Sequence, residues 1–156
     1  MKKLPLLPTI IGTGFGSGFW PWGPGTAGAL TGMLIWYALS FMLNSTLLFA
    51  VTLSCIVVFT IAGTWAVRRL SPFWGSDPQK VVIDEMVGVW VPLLAVPASD
   101  IWLALASFVL FRLFDILKPL GIRTIDRRKG AFYVMADDIL AGVYSLIIIV
   151  AVQWII

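Results

Sequence analysis

Residues 134–156 read VMADDILAGVYSLIIIVAVQWII. Beyond Asp137 and Asp138 this stretch carries no charge. A bilayer core is crossed by about 20 mostly apolar residues, with a range of roughly 17 to 25. The stretch fits that length, with its two acids near its start. Four earlier segments read the same way: Thr26 to Leu43, Leu47 to Val67, Val81 to Val96 and Ile101 to Leu117. The third has Asp84 and Glu85 near its start; the fourth has Arg112 and Asp115 near its end. Asn44-Ser45-Thr46 is a short turn, so the first two segments form an antiparallel hairpin. The expected fold is all-α: one domain over residues 1–156, a polytopic bundle of about five transmembrane helices entered through a Gly-rich N-terminal loop.

Composition agrees. The chain is 60% hydrophobic and 12% charged, with a mean hydropathy of +0.96. Soluble domains run near half apolar and about a quarter charged, so the surplus apolar surface calls for lipid. The single cysteine, Cys55, lies in an apolar run and excludes a disulfide framework. There is no histidine. The opening residues Met1-Lys2-Lys3 and Leu4, Leu6 and Leu7 suggest a signal peptide, but Pro5 and Pro8 interrupt the apolar stretch. No small-residue cleavage site follows, so this segment is expected in the mature protein.

Basic residues set the orientation. Lys2 and Lys3 precede the first span, Arg68, Arg69 and Lys80 lie between the second and third, and Lys118, Arg123, Arg127, Arg128 and Lys129 lie between the fourth and fifth. The connections on the other side carry none. The N-terminus is therefore expected inside and the C-terminus outside, with a basic cytoplasmic face that attracts anionic lipid. This topology gathers the acids. Asp84, Glu85, Asp115, Asp137 and Asp138 fall near one interface, Asp77 and Asp126 lie in loops on that side, and Asp100 alone is outside.

Charges at the hydrocarbon boundary are costly, and clustered carboxylates repel one another. Arg112 and Lys118 neutralise part of this set, and a divalent cation would neutralise more. Oxygen-only ligands favour Mg²⁺, Mn²⁺ or Ca²⁺ over zinc. Acids at helix starts also complement the helix dipole without any ligand. Two adjacent pairs and a fifth acid on a third helix weigh against that simpler account. Arg112, Asp115 and Lys118 are spaced i, i+3, i+6, which presents a carboxylate between two cations. Gly88 follows Asp84 by four residues and Gly142 follows Asp138 by four, letting helices approach closely; ordinary membrane packing explains these glycines equally well.

A second constellation runs Gly12-Thr13-Gly14-Phe15-Gly16-Ser17-Gly18, then Pro24-Gly25-Thr26-Ala27-Gly28. Exposed backbone N–H groups and a helix start with Thr26 as N-cap would suit a phosphate. No Gly-Lys-Ser/Thr follows, so it is not a Walker loop. A flexible or re-entrant entry into the membrane is the competing reading. Between the two glycine stretches, Phe19-Trp20-Pro21-Trp22 reads as an interfacial anchor.

These motifs together resemble the phosphatidylglycerophosphatase A family. The strings are Gly14 to Gly18, Pro24 to Gly28, Val82-Ile83-Asp84-Glu85-Met86-Val87-Gly88-Val89-Trp90, Phe111-Arg112-Leu113-Phe114-Asp115-Ile116-Leu117-Lys118-Pro119, and Val134-Met135-Ala136-Asp137-Asp138-Ile139-Leu140-Ala141-Gly142. Two stretches depart. Lys118-Pro119-Leu120-Gly121-Ile122 stands where the family typically reads Lys-Pro-x-Pro-Ile, and Gly130-Ala131-Phe132-Tyr133 has fewer glycines than usual before the Asp-Asp pair. The resemblance implies Mg²⁺-dependent hydrolysis of phosphatidylglycerophosphate to phosphatidylglycerol and phosphate, a step that also supplies cardiolipin synthesis. It implies a multi-pass protein of the bacterial inner membrane with its site facing the cytoplasm. The expected partners are the membrane and an anionic phospholipid substrate, with no nucleic acid; oligomeric state is left open.

Other phosphatase chemistries lack their residues. Cys55 has Ile61 where a Cys-x5-Arg phosphatase needs arginine, no histidine nucleophile exists, and Asp-x-Asp-x-Thr is missing. The spaced aspartates of CDP-alcohol transferases are missing too. The expected mechanism is metal-assisted phosphoryl transfer to water. Asp84, Glu85, Asp137 and Asp138 hold one or two Mg²⁺ ions, and Asp115 is a further ligand or the general base. Arg112 and Lys118 bind phosphate, and Ser17, Thr26 and the amides near Gly25 contact phosphate or glycerol. A small ion-coupled transporter and a non-catalytic membrane subunit are the alternatives. A transporter would need polar groups at mid-membrane and on both faces, and the outer halves of these segments are almost entirely apolar.

Overall fold

The computed structural model describes residues 3–75 and 78–155. Met1, Lys2, Asp77 and Ile156, which entered the sequence reading, lie outside the described residues. Within them the chain forms seven α-helices and one 3-10 turn, with no strand. The helices are α1 (Leu6–Gly12), α2 (Pro24–Ser40), α3 (Ser45–Trp74), α4 (Ile83–Leu93), α5 (Ile101–Leu117), α6 (Ile122–Asp126) and α7 (Ala131–Ile155), with the 3-10 turn at Ser17–Phe19. α3 and α7 are each long and apolar enough to cross a membrane.

Local chemistry sets the boundaries. Pro24 opens α2 at a position where its missing N–H is not needed. Asn44 caps α3, its Oδ1 accepting from the Leu47 amide at 2.9 Å. Asp100 caps α5, accepting from Trp102 and Leu103 at 3.1 and 3.0 Å. α5 ends where Lys118 turns left-handed at φ 47°, ahead of Pro119.

Two expectations change in extent. α3 runs through Arg68 and Arg69 to Trp74, 30 residues and about 45 Å, because the helix continues after its apolar run stops. Conversely, the expected span Val81–Val96 contains an 11-residue helix, α4, about 16 Å long. Every residue of α4 except Glu85 is buried. It is the central helix, flanked by α2, α3, α5 and α7.

Glycines set its neighbours' distance. On α2, a Cβ at Gly28 would come within 2.6 Å of Val82, and one at Gly32 within 3.2 Å of the Met86 Cα. The Trp90 indole N–H donates to the Gly32 carbonyl at 2.9 Å. On α7, a Cβ at Gly142 would lie 2.4 Å from the Gly88 carbonyl oxygen. α2, α4 and α7 therefore pack parallel, with α3 and α5 running the opposite way.

The bundle has two unlike ends. At one, the Ser99 amide donates to the Ser40 hydroxyl at 3.2 Å, and Gln153 Nε2 donates to the Ala95 carbonyl at 2.8 Å. This end joins the finish of α2, α4 and α7 to the start of α5. The other holds the first turns of α2 and α4, the second turn of α7 and the last turns of α5, where the acids converge.

Candidate active site

A cavity of about 470 Å³ opens at the acidic end. Asp84 and Glu85 project from the first turn of α4, and Asp137 and Asp138 from α7. Arg112 and Asp115 come from the last turns of α5, with Lys118 at its cap. All seven line the cavity, as does Gly25. Asp84, Asp137 and Asp138 are buried, at 8%, 5% and 3% exposure.

Three of these acids form a close group. One oxygen each of Asp84, Glu85 and Asp138 lies within 4.8 Å of the others. Asp84 Oδ1 and Glu85 Oε2 are buried without a hydrogen-bond partner. Dipole complementation alone leaves these oxygens unexplained, because acids serving only that purpose stay hydrated or accept from backbone amides. An all-oxygen trio, two members buried and Glu85 half-buried, with buried unpartnered atoms is a donor set that fits a hard divalent cation.

Asp137 faces elsewhere. Its Oδ2 accepts from Lys118 Nζ at 2.8 Å, and the same ammonium pairs with Asp126. The expected Asp115–Lys118 juxtaposition does not form; Asp115 pairs with Arg112 one turn back. The left-handed backbone at Lys118 turns its side chain away from the α5 face and toward α6 and α7. Burial alone would lower the Lys118 pKa, but the hydrogen bonds that Lys118 donates to Asp126 and Asp137, with the charge of those carboxylates, outweigh it and push it up. Lys118 thus serves as a fixed cation between two helices.

Arg112 holds Asp115 while its Nε is buried and unpartnered. A Cβ on Gly25 would sit 2.2 Å from Glu85 Oε1 and 3.3 Å from Arg112 Nη1. The first turn of α2 therefore lies directly on the acid cluster, and a Cβ there would displace the end of the Glu85 side chain.

The rest of the glycine-rich segment is placed differently. The 12–18 stretch contributes nothing to the cavity lining among the described residues. It braces the approach to α4: Val82 donates its amide to the Gly12 carbonyl at 2.8 Å, and a Cβ on Gly18 would lie 2.1 Å from the Lys80 carbonyl. Ser17 Oγ donates to the Gly14 carbonyl at 2.9 Å. Thr26 is not the N-cap; Gly23 is, at φ 72°, and Thr26 follows Pro24 and Gly25 inside the helix. Ser17 and Thr26 line a separate groove.

The outer rim holds residues that the sequence reading used only for orientation. Arg127, Arg128 and Lys129 line the mouth together with Gln79 and Tyr133, and Arg128 lies over the Tyr133 ring at 5.6 Å. Their signal was a run of three cations followed by Gly130. The departure at Gly121 also has a structural reading: its φ of 90° caps α6, a value closed to the family's proline at that position.

Comparison with known proteins shows the family of the chain. The chain matches the family described as Phosphatidylglycerophosphatase A over residues 10–153. A Bacteroides thetaiotaomicron protein named "Putative phosphatidylinositol-3-phosphatase" is 56% identical over 158 residues, covering 100% of this chain and 99% of its own. A Haemophilus influenzae protein named phosphatidylglycerophosphatase A is 36% identical, covering 99% and 94%. An Escherichia coli protein of the same name is 36% identical, covering 87% and 77%. No solved structure matches the chain.

Proposed function

Since the chain belongs to the phosphatidylglycerophosphatase A family of phosphatases, we propose that it hydrolyses phosphatidylglycerophosphate to phosphatidylglycerol and phosphate with the aid of Mg²⁺. The observation that carries this reading is the carboxylate trio Asp84, Glu85 and Asp138, with buried unpartnered oxygens in the same cavity as the buried unpartnered Arg112 Nε.

Asp84, Glu85 and Asp138 would hold the cation, with Asp137 tethered by Lys118 alongside. Bound there, Mg²⁺ supplies Lewis acidity toward a phosphoryl oxygen and a more acidic water. Arg112 Nε donates to a phosphate oxygen and offsets charge that spreads onto it as the ester bond breaks. Asp115, oriented by Arg112, takes the proton of the attacking water or adds a ligand. Lys118 adds positive charge at the phosphate. The bond formed joins water oxygen to phosphorus; the bond broken frees the lipid alcohol, which takes up a proton. In single turnover in ¹⁸O-water the label is expected in free phosphate; label in an aspartate would mean attack by a carboxylate.

In this reading the chain is a single multi-pass unit of the bacterial inner membrane, its five longer helices embedded and its cavity facing the cytoplasm. It supplies phosphatidylglycerol and, downstream, cardiolipin. The Bacteroides relative's name supports a second headgroup, a phosphorylated inositol lipid. The purified protein tested on both lipids and on phosphatidic acid, with Mg²⁺ and with chelator, decides. Release from phosphatidylglycerophosphate that chelator abolishes is expected. Preference for the inositol lipid would reassign the headgroup, and no release from any lipid would overturn the enzyme reading.

A further inference from the structure

Two surfaces border the acid cavity. One holds Gln79, Arg127, Arg128 and Lys129 and is polar and mostly charged. The other crosses the first turn of α2. Gly23, Pro24 and Gly25 line the cavity, while the next residues, Thr26 and Ala27, line a second groove of about 580 Å³. This groove lies between α2 and the 16–22 segment.

The groove grades from polar to apolar. Thr26, Leu30 and Leu34 recur every four residues on one face of α2, with the Ser17 hydroxyl lining the groove as well and Trp20 and Trp22 as the opposite wall. From Thr26 to Leu34 the face runs about 12 Å along the helix, away from the acid end. A phospholipid is covalently constrained: if its phosphomonoester sits among the acids, its chains must begin one headgroup away. The basic rim offers no apolar continuation, and the α2 groove does.

We propose that this groove holds the glycerol backbone and the first part of one acyl chain of the lipid whose phosphate occupies the acid cavity. The inference rests on the lipid phosphatase reading above. Ser17 and Thr26 then face the glycerol ester region, and Leu30, Leu34, Trp20 and Trp22 face the chain.

The test compares dioleoyl and dihexanoyl phosphatidylglycerophosphate in mixed detergent micelles. Leu34, 52% exposed, tolerates a larger side chain. Leu34→Trp is expected to raise KM for the dioleoyl lipid at least fivefold while leaving kcat, and KM for the dihexanoyl lipid, within twofold. Val57→Trp, equally exposed at 54% on α3, should change neither, which separates the groove from general contact with lipid or detergent. As a second measurement, a dioleoyl lipid with a diazirine in its chain should label the Trp20–Leu34 region of the wild-type protein. Equal KM changes for both lipids, no change, or labelling elsewhere overturns the groove. If wild type releases no phosphate from either lipid, the lipid phosphatase reading fails instead, and the groove with it.

Discussion

Gly142 and Gly88 meet backbone to backbone, one turn beyond Asp138 and Asp84 respectively. A Cβ on Gly142 would lie 2.4 Å from the Gly88 carbonyl oxygen, and one on Gly88 would lie 2.4 Å from the Phe111 ring and 2.9 Å from the Asp138 carbonyl. Equal offsets on two parallel helices put both acids at one level. The separation of the trio is thus set by main chain, which yields less than any side chain.

Gly142→Ala should therefore harm both fold and chemistry. Alanine's better helix propensity, about 1 kcal/mol, is opposed by overpacking of roughly 1–3 kcal/mol. The expected result is a lower unfolding temperature in detergent. Phosphate release should fall on the order of 100-fold in the protein that remains folded, because small misplacements of catalytic groups cost that much.

Gly25→Ala separates the two effects. Its Cβ would strike Glu85 Oε1, the end of a side chain, so Glu85 moves and the helices do not. Stability should be nearly unchanged while kcat falls about 10- to 100-fold. A loss of stability as large as that of Gly142→Ala would contradict this account.

Cation binding has a readout independent of turnover. Titrating Mg²⁺ into the wild-type protein should raise its unfolding temperature, by linkage worth about 2.7 kcal/mol at a hundredfold excess over Kd. Asp84→Asn and Asp138→Asn should abolish that rise and the activity. Without Mg²⁺ they should be at least as stable as wild type, since each removes one of several carboxylates held close together.

Lys118 links α5 to α6 and α7 through Asp126 and Asp137. Lys118→Met leaves Asp137, buried at 5% exposure, without its cation, and a drop in both stability and activity is expected. Lys118→Met combined with Asp137→Asn should recover part of the stability but none of the activity. A double-mutant cycle reads that coupling directly. Strict additivity would mean that the pair carries no structural role.

Much of this site was legible in the sequence because charge in an apolar chain is sparse. Positive-inside reasoning placed Asp84, Glu85, Arg112, Asp115, Asp137 and Asp138 at one level, and the Asp84–Gly88 and Asp138–Gly142 spacings carried the helix contact. What sequence missed has physical causes. Hydropathy follows residue type, so it ended α3 at its arginines and carried α4 past Leu93 into a turn. The N-cap preference of threonine favoured Thr26, whereas Pro24 at the first helical position was the better signal. The partners of Lys118 depend on one left-handed residue, which a spacing rule for regular helices does not contain. The loop glycines Gly12 and Gly18 suggested a phosphate cradle; they bear on the backbone of Lys80 and Val82 instead.

The end of the bundle away from the cavity is tied by Ser99 to Ser40 and by Gln153 to Ala95, so the cavity lies at the opposite end alone. Both products must then leave on the side from which the lipid came. With the lipid seated as proposed, phosphate would depart past the arginines into water and the lipid would leave along α2. Under the function proposed above, the enzyme would act within one leaflet and move nothing across, so the sidedness of the new lipid would be inherited from its precursor.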